Sequence, residues 1–396
     1  MDLDLAPEHV LLRDTIREFM TQEVAPVVDE HERARRFPSE AVARLGEMGW
    51  LGIPVPEPWG GAGMDTLAYA IAIEEIGRVW GSLGLIVAAH TSLGCGPLLL
   101  AGTDAQKERF LTPMASGRVL GGYGLTEPGA GSDAGGTRTT ARHEDGPDGG
   151  TWVIDGGKRF ITNAGVAGLY TVFAKTDPDA GHAGISAFLV EADAPGFAVA
   201  RLEPKLGISG STTGELTFDD CRVPAGNLLG EEGEGFKIAM RILDRSRPGV
   251  AAQALGIAQG ATDYALEYAK TRETMGKPIA QHQLIQAKLA DMETMCEAAR
   301  GLLYRFGQMC DAGVDDAELT KASAMAKLLC GDVAMDVTVE AVQILGGYGY
   351  IKEYPVERFM RDAKITQIYE GTQEVQRLVI AREMLRESRA FLLAGV

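Results

Sequence analysis

The spacing of apolar residues changes character twice along the chain. From about Pro7 to Arg118 the apolar positions fall at helical intervals. Val10, Leu11, Phe19, Met20, Val24 and Val27 recur in a segment otherwise rich in Arg, Asp and Glu. Ser39, Asp65 and Thr103 or Asp104 precede periodic runs and are the expected N-caps. The stretch PVPEPWGGAGMD reads as a long turn between helices. From Gly121 to about Gly230 the runs become short and rich in β-branched or aromatic residues. TWVIDGGKRFITNA, LYTVFAKTD, ISAFLVEAD, FAVARL and GELTFDDCRV are split by Gly, Asp and Pro clusters, which predicts a barrel or sandwich. From Gly235 onward long helical runs return. The first is interrupted only by Pro248, and others span Gln283 to Cys310 and Ala317 to Leu345. The expected fold class is therefore α+β. An all-α unit over 1–119 precedes a β-barrel or sandwich unit over 120–232 and a helical bundle over 233–396. A chain of 396 residues is long enough to need more than one core.

Charge narrows the partners. Acidic residues number 55 against 38 basic ones, for a net charge of -17. Such a surface repels nucleic-acid phosphates, yet leaves room for a small anionic ligand held by a few local cations. The five cysteines form no CxxC pair, and the odd count is unlike a disulfide framework, so a reducing compartment is expected. The six histidines show no HxxxH or Cys/His spacing, and no metal site is read. MDLDLAPEHV has neither a basic nor an apolar region of a secretory signal, and the expected location is cytoplasmic. Leu83 to Ala101 is the most apolar window. His90, Gly94, Gly96 and Pro97 within it favour a buried helix pair over a membrane span.

Candidate chemistry is scattered over short motifs. In GLTEPGAGSDAGG, Gly129, Gly131 and Ala134 match a GxGxxA dinucleotide spacing, but no helix opens behind them. Such a loop can still offer N–H groups and the Thr126 and Ser132 hydroxyls to a polar ring or phosphate. RFITNA aligns the aromatic Phe160, the packing residue Ile161 and the hydroxyl of Thr162. Gly346 and Gly347 read as a helix C-cap. Arg272 and Lys277 read as a solvated face. Asp244 and Arg247, three apart in DRSRP, read as a modest surface pair. In QIYEGTQEVQRL, Glu370 stands beside Gly371 at a break between helices. It is either a solvated turn residue or a carboxylate held in a dry pocket as a base.

These motifs occur jointly and in a fixed order. YGLTEPGAGSD, RFITNA, RPGVAAQALG, RETMGKPIAQHQ and VQILGGYGYIKEYPVERFMRDAKITQIYEGTQEVQRLVIAR together resemble the acyl-CoA dehydrogenase family over essentially the whole chain, most closely its short- and medium-chain branch. The resemblance implies a helical N-terminal domain, a middle β domain and a C-terminal four-helix bundle. It also implies bound FAD, a homotetramer built as a dimer of dimers, and an electron-transfer flavoprotein as acceptor. The implied reaction belongs to fatty-acid β-oxidation: an acyl-CoA thioester loses an α-proton and a β-hydride to become trans-2-enoyl-CoA. By motif match Glu370 is the catalytic base, with Gly371 slim beside the substrate. Tyr123, Leu125, Thr126, Gly131 and Ser132 are implied flavin contacts, Ser132 also approaching CoA. Phe160, Ile161 and Thr162 border the isoalloxazine, with Phe160 where many relatives place Trp. Arg272, Thr274, Gln283, Gln343, Gly346 and Gly347 are implied to cradle the diphosphate and adenosine, partly from a neighbouring subunit. Thr372 and Glu374 are implied to touch the cofactor, and Asp244 and Arg247 the CoA portion.

Branch markers narrow the type. Isovaleryl- and long-chain-type relatives carry their base at the position of Ser246, which disfavours those branches. Leu85 to Leu100 holds no Arg or Lys, which argues against a dicarboxylyl substrate. Ser209 stands where relatives often have Arg. An acyl-CoA oxidase or a carrier-protein-linked desaturase on the same fold is the enzymatic alternative. A DNA-binding relative is the alternative of another class, against which the charge of -17 and the intact Glu370 motif both argue.

Overall fold

The computed structural model describes residues 5–386; the outermost parts of the first and third expected units, 1–4 and 387–396, lie outside them. Helices fill the N-terminal part, from Pro7–Phe19 through Thr66–Val79 to the short helix Thr112–Ala115. Asp65 caps the Thr66–Val79 helix by accepting from Ala68 N, and Thr103 forms a capping box with Gln106. Ser39 does not cap: it is the first helical residue, and Pro38 holds the cap position without a side-chain acceptor.

The apolar window is not a helix pair. Gly81–Ala88, a π-helical stretch Ala89–Cys95 and Gly96–Ala101 run on as one helix. The wider π turn absorbs residues that a strict α period would place on the wrong face, so glycines and Pro97 need not break it. The whole of Gly81–Ala101 is apolar and long enough to cross a membrane, and most of it is buried inside the protein.

The middle of the chain is one sheet of eight strands: β1 (Gly121–Gly124), β2 (Thr140–Glu144), β3 (Thr151–Thr162), β4 (Leu169–Lys175), β5 (Ile185–Glu191), β6 (Phe197–Leu202), β7 (Thr213–Pro224) and β8 (Leu228–Leu229). The order is β6-β7-β3-β2-β4-β5-β8, with β1 paired to β4 in parallel. β4 and β5 are buried along nearly their full length, as expected of strands covered on both faces.

Long helices close the fold: Gly235–Thr271, Gln283–Asp311, Asp316–Leu345, Val356–Thr366 and Gln373–Arg386. Pro248 does not interrupt the first of them. A proline lacks the N–H that would bond the carbonyl four residues back. That carbonyl, Asp244 O, instead accepts from Ser323 Oγ of the Asp316–Leu345 helix at 2.8 Å. The neighbouring helix thus repairs the ladder. Small residues also draw the helices together: a Cβ at Gly260 would lie 2.0 Å from Arg78 O, so only glycine permits this crossing with Thr66–Val79. Four of the five cysteines are buried free thiols and Cys310 is partly exposed.

Candidate active site

Glu370 sits in the six-residue gap between the helices Val356–Thr366 and Gln373–Arg386, in the left-handed region at φ 50°. Gly371 follows at φ 90°. A non-glycine residue in that region carries strain of about 1 kcal/mol or more, so the turn must be held from outside. It is held by named groups. Gln373 N reaches back to Gln367 O at 3.1 Å. Gln376 Nε2 donates to Glu370 O at 3.2 Å and to Gly371 O at 2.9 Å. Lys327 Nζ donates to Gly371 O at 2.7 Å and to Gln373 Oε1 at 3.1 Å. A Cβ at position 371 would stand 2.4 Å from Gln376 Nε2, so the glycine is required by this clamp as well as by its φ.

The carboxyl itself meets Ser246, whose Oγ donates to Glu370 Oε2 at 2.6 Å. Burial raises the Glu370 carboxyl above its ordinary value; the Ser246 hydrogen bond and the charges of Lys327 and Arg247 oppose that rise without cancelling it. A carboxyl in this state is a stronger base than a solvated one. Among the described residues no acceptor pairs with the Glu370 backbone N–H. Tyr369 Oη donates to Gln253 Oε1, and Gln253 Nε2 donates to Gly81 O at 2.8 Å. Tyr369 also packs with Leu85, Ala89 and Ile208, linking the turn to the apolar Gly81–Ala101 helix.

Asp244 and Arg247 are not a solvated surface pair. Arg247 is buried and bonds Asp244 at 2.6 Å, while Asp244 Oδ2 accepts from Thr320 at 3.0 Å. Within DRSRP, Ser246, Arg247 and Pro248 are buried, Asp244 is partly exposed and Arg245 is exposed, a division that local spacing alone does not reveal. Arg247 Nε is a buried donor without a partner among the described residues.

The predicted flavin residues of the sheet are brought together by a second lysine. Lys158 is fully buried and its Nζ donates to Glu127 Oε1 at 2.7 Å and Leu125 O at 3.2 Å. Glu127 accepts in addition from Arg138 N and Thr139 N. Burial alone would raise Glu127, but Lys158 and these donors outweigh it and hold the carboxyl below its ordinary value. Burial draws the Lys158 ammonium down to about 8. Arg159 N bonds Thr126 O at 2.8 Å, closing β3 against the glycine-rich turn. Tyr123 and Thr126 are partly exposed here, and Gly131 and Ser132 lie open. The Leu125 and Ile161 side chains are both buried in the core, leaving their backbone for a ligand. Phe160, at φ 60° beside a break in β3 register, is 59% exposed, and Thr162 is partly exposed. An outward strained aromatic next to open glycines is a platform for a flat ring.

A third cluster lies elsewhere. A cavity of about 460 Å³ is lined by Arg272, Thr274, Gly346 and Gly347 with Tyr268, Ile279 and Tyr348. The Arg272 guanidinium lies 5.0 Å from the Tyr348 ring. A Cβ at Gly346 or Gly347 would meet nothing within 4 Å, so both glycines face open space. Gln283 opens its helix on the exposed side, and Gln343 is exposed one turn before the glycines; neither lines the cavity. Thr372 Oγ1 accepts from Val375 N at 3.3 Å and so caps the last helix, with Glu374 exposed beside it. Lys327 and Gln343 stand sixteen residues apart on the Asp316–Leu345 helix, about 24 Å along its axis. Lys327, which holds the turn of the base, sits near the middle of that helix, and the cavity glycines follow its C-terminal end.

The residues fit a flavin dinucleotide in kind. An aromatic face, hydroxyls and open N–H groups suit the ring; Arg272, Thr274 and the glycines suit a diphosphate. Buried Asn163 Oδ1, Ser211 Oγ and Thr212 Oγ1 also lack partners among the described residues. Sequence reasoning missed Lys158, Glu127, Lys327 and Gln376, and read Ser246 only as a branch marker. Ser209 is partly exposed, and its backbone N–H donates to Glu32 Oε2 at 3.2 Å.

Three family models match in series: acyl-CoA dehydrogenase N-terminal domain over residues 6–118, middle domain over 122–221 and C-terminal domain over 233–385. A short-chain specific acyl-CoA dehydrogenase of Clostridium acetobutylicum is 48% identical over 386 residues, 98% of this chain and 100% of the relative. The solved butyryl-CoA dehydrogenase of Megasphaera elsdenii superposes with a TM-score of 0.94 at 47% identity, covering 98% of this chain and 100% of that one. A structure described under the electron transferring flavoprotein of Acidaminococcus fermentans gives a TM-score of 0.94 at 46% identity, covering 98% and 100%. An acyl-CoA dehydrogenase complexed with FAD from Bacillus anthracis gives 0.89 at 35% identity, covering 97% and 68%.

Proposed function

This chain belongs to the acyl-CoA dehydrogenase family, and from that premise we propose that it oxidises a short-chain acyl-CoA to the trans-2-enoyl-CoA with Glu370 as base. The observation that carries the reading is the carboxyl of Glu370, desolvated, fixed by Ser246 and set beside an N–H without an acceptor. Ser246 occupies Oε2, which leaves Oε1 to take the α-proton. The Glu370 N–H serves as a donor to the thioester carbonyl as negative charge develops there. FAD, when bound, supplies the acceptor for the β-hydride.

Phe160, Thr162, Tyr123, Thr126, Gly131 and Ser132 would hold the flavin ring. Arg272, Thr274, Gly346 and Gly347, with Gln283 and Gln343 near them, would hold a diphosphate and adenosine. The rise of about 24 Å along the helix from Lys327, which holds the turn of the base, to Gln343, one turn before the cavity glycines, supports a cofactor site completed by a second subunit. Met275 at 94% exposure and Tyr350 at 84%, around that cavity, support the same reading, with a homotetramer as the assembly. Arg247, with its unpartnered Nε, is the residue of the DRSRP segment that would approach CoA. The Tyr369–Gln253–Gly81 hydrogen bonds set polar groups on the residue next to the base, which supports a short acyl chain. An electron-transfer flavoprotein is the proposed acceptor of the electrons.

Anaerobic titration with acyl-CoAs of graded length, read by flavin absorbance, tests the reading. Bleaching by butyryl-CoA, faster than by octanoyl-CoA and lost in E370Q with flavin retained, is the expected result. Bound flavin that no acyl-CoA bleaches refutes it.

A further inference from the structure

Lys327 has no part in the reaction described so far, yet it is the group most in need of explanation. It is 1% exposed. A buried ammonium costs several kcal/mol unless a carboxylate pairs with it. No ion pair is formed by Lys327 among the described residues; its two partners are neutral oxygens, Gly371 O and Gln373 Oε1. Nor is the charge needed to satisfy the turn. Gln376 Nε2, a neutral donor, already reaches Gly371 O and Glu370 O. A leucine or methionine would fit this helix, where Ala324, Ala326 and Cys330 are buried around it. The cation must act on something else, and Glu370 is the charge that influences it most.

We propose that Lys327 is the positioning residue of the base: bonded to the peptide just after Glu370, it fixes the strained turn and places a positive charge that keeps the carboxylate ionised in a dry pocket. The proposal deepens the reading of Glu370 as base and rests on it. Charged and titratable groups on every side are accounted for. Arg247 approaches Glu370 from the Gly235–Thr271 helix but is bonded to Asp244. Asp332, on the Lys327 helix, is paired with Arg377 of the last helix and bonded to Gln367 and Gln373. Glu374 is exposed on the last helix. Tyr69, Tyr123 and Tyr369 lie near Glu370, and burial raises each phenol, so all stay neutral.

The test is the pH dependence of anaerobic flavin bleaching by butyryl-CoA between pH 5.5 and 9, for the parent, K327M, K327Q, K327R and Q376L. A parent that never bleaches removes Glu370 as base and the proposal with it; a parent that bleaches isolates the lysine. Expected in K327M and K327Q is a midpoint of the acid limb moved up by about one pH unit, near a tenfold loss at pH 6. K327R keeps the parent midpoint. Q376L, which loosens the turn but keeps the charge, lowers the plateau without moving the midpoint. An unmoved midpoint in K327M and K327Q overturns the proposal, since a structural lysine would change only the plateau or the flavin content. If neither neutral variant holds flavin, a thermal-stability cycle over K327Q, E370Q and the double variant decides instead, run at pH 7 because burial draws the Lys327 ammonium down to about 8. Coupling between the two positions supports the proposal, and additivity overturns it.

Discussion

The chain buries two lysines close to carboxylates and treats them in opposite ways. In the sheet, Lys158 bonds Glu127 directly, two backbone N–H groups complete the carboxylate, and burial loses to these partners. In the bundle, Lys327 is turned aside onto a peptide carbonyl, and the Glu370 carboxyl keeps a single serine donor. There burial wins, and the carboxyl is raised. The first pair is closed and can only hold a loop in place. The second is left short of partners, and that shortage is what makes a base.

The comparison can be broken in four places. E370Q should have the largest effect, a loss of about 10³-fold or more in turnover, measured by stopped-flow flavin reduction. The same variant should be more stable than the parent near neutral pH. Because the folded carboxyl is raised, its contribution favours folding at low pH and is lost as pH rises from the ordinary carboxylate range through the folded value. The stability gain should therefore vanish near pH 4 in thermal scans. K158M should cost about 3–5 kcal/mol in urea unfolding, because it strands Glu127 as a buried charge without its cation. S246A should raise the Glu370 carboxyl further and shift the acid limb of activity upward, with about a tenfold loss below the midpoint and little change on the plateau. R222A is the contrast case. Arg222 pairs with Glu144 and Asp220 on the exposed face of the sheet, and its loss should change stability by less than about 1 kcal/mol, less still in high salt.

Much of this arrangement was legible from residue order. The switch from helical to strand spacing and back places the sheet, and the motif set singles out Glu370, Phe160, Arg272 and the paired glycines. What stayed hidden has a common cause. Lys327 and Gly371 stand 44 positions apart in the chain, and Lys158 and Glu127 stand 31 apart. Periodicity reports which face of an element is buried but not what waits on the other side. Lys158 and Glu127 both stood inside quoted motifs, yet only packing joins them. Ser246 was legible as a branch marker but its bond to Glu370 was not, since a hydroxyl that cannot take a proton can still hold the group that does. The Leu125 and Ile161 side chains lie in the core, so what those two positions leave for a ligand is backbone. Asp244 and Arg247 look solvated by composition until the neighbouring helix covers them.

The helix Asp316–Leu345 carries Lys327 near its middle and Gln343 near its end, with no break between them. It is a ruler. Each residue of an α-helix adds about 1.5 Å and turns the chain by about 100°. One residue inserted between positions 327 and 343 would swing the paired glycines by more than a quarter turn relative to the base. One inserted in the turn Ala312–Asp315 would alter neither. Length changes in this part of the chain should therefore be confined to that turn, with the span from Lys327 to Gly347 held to an exact count.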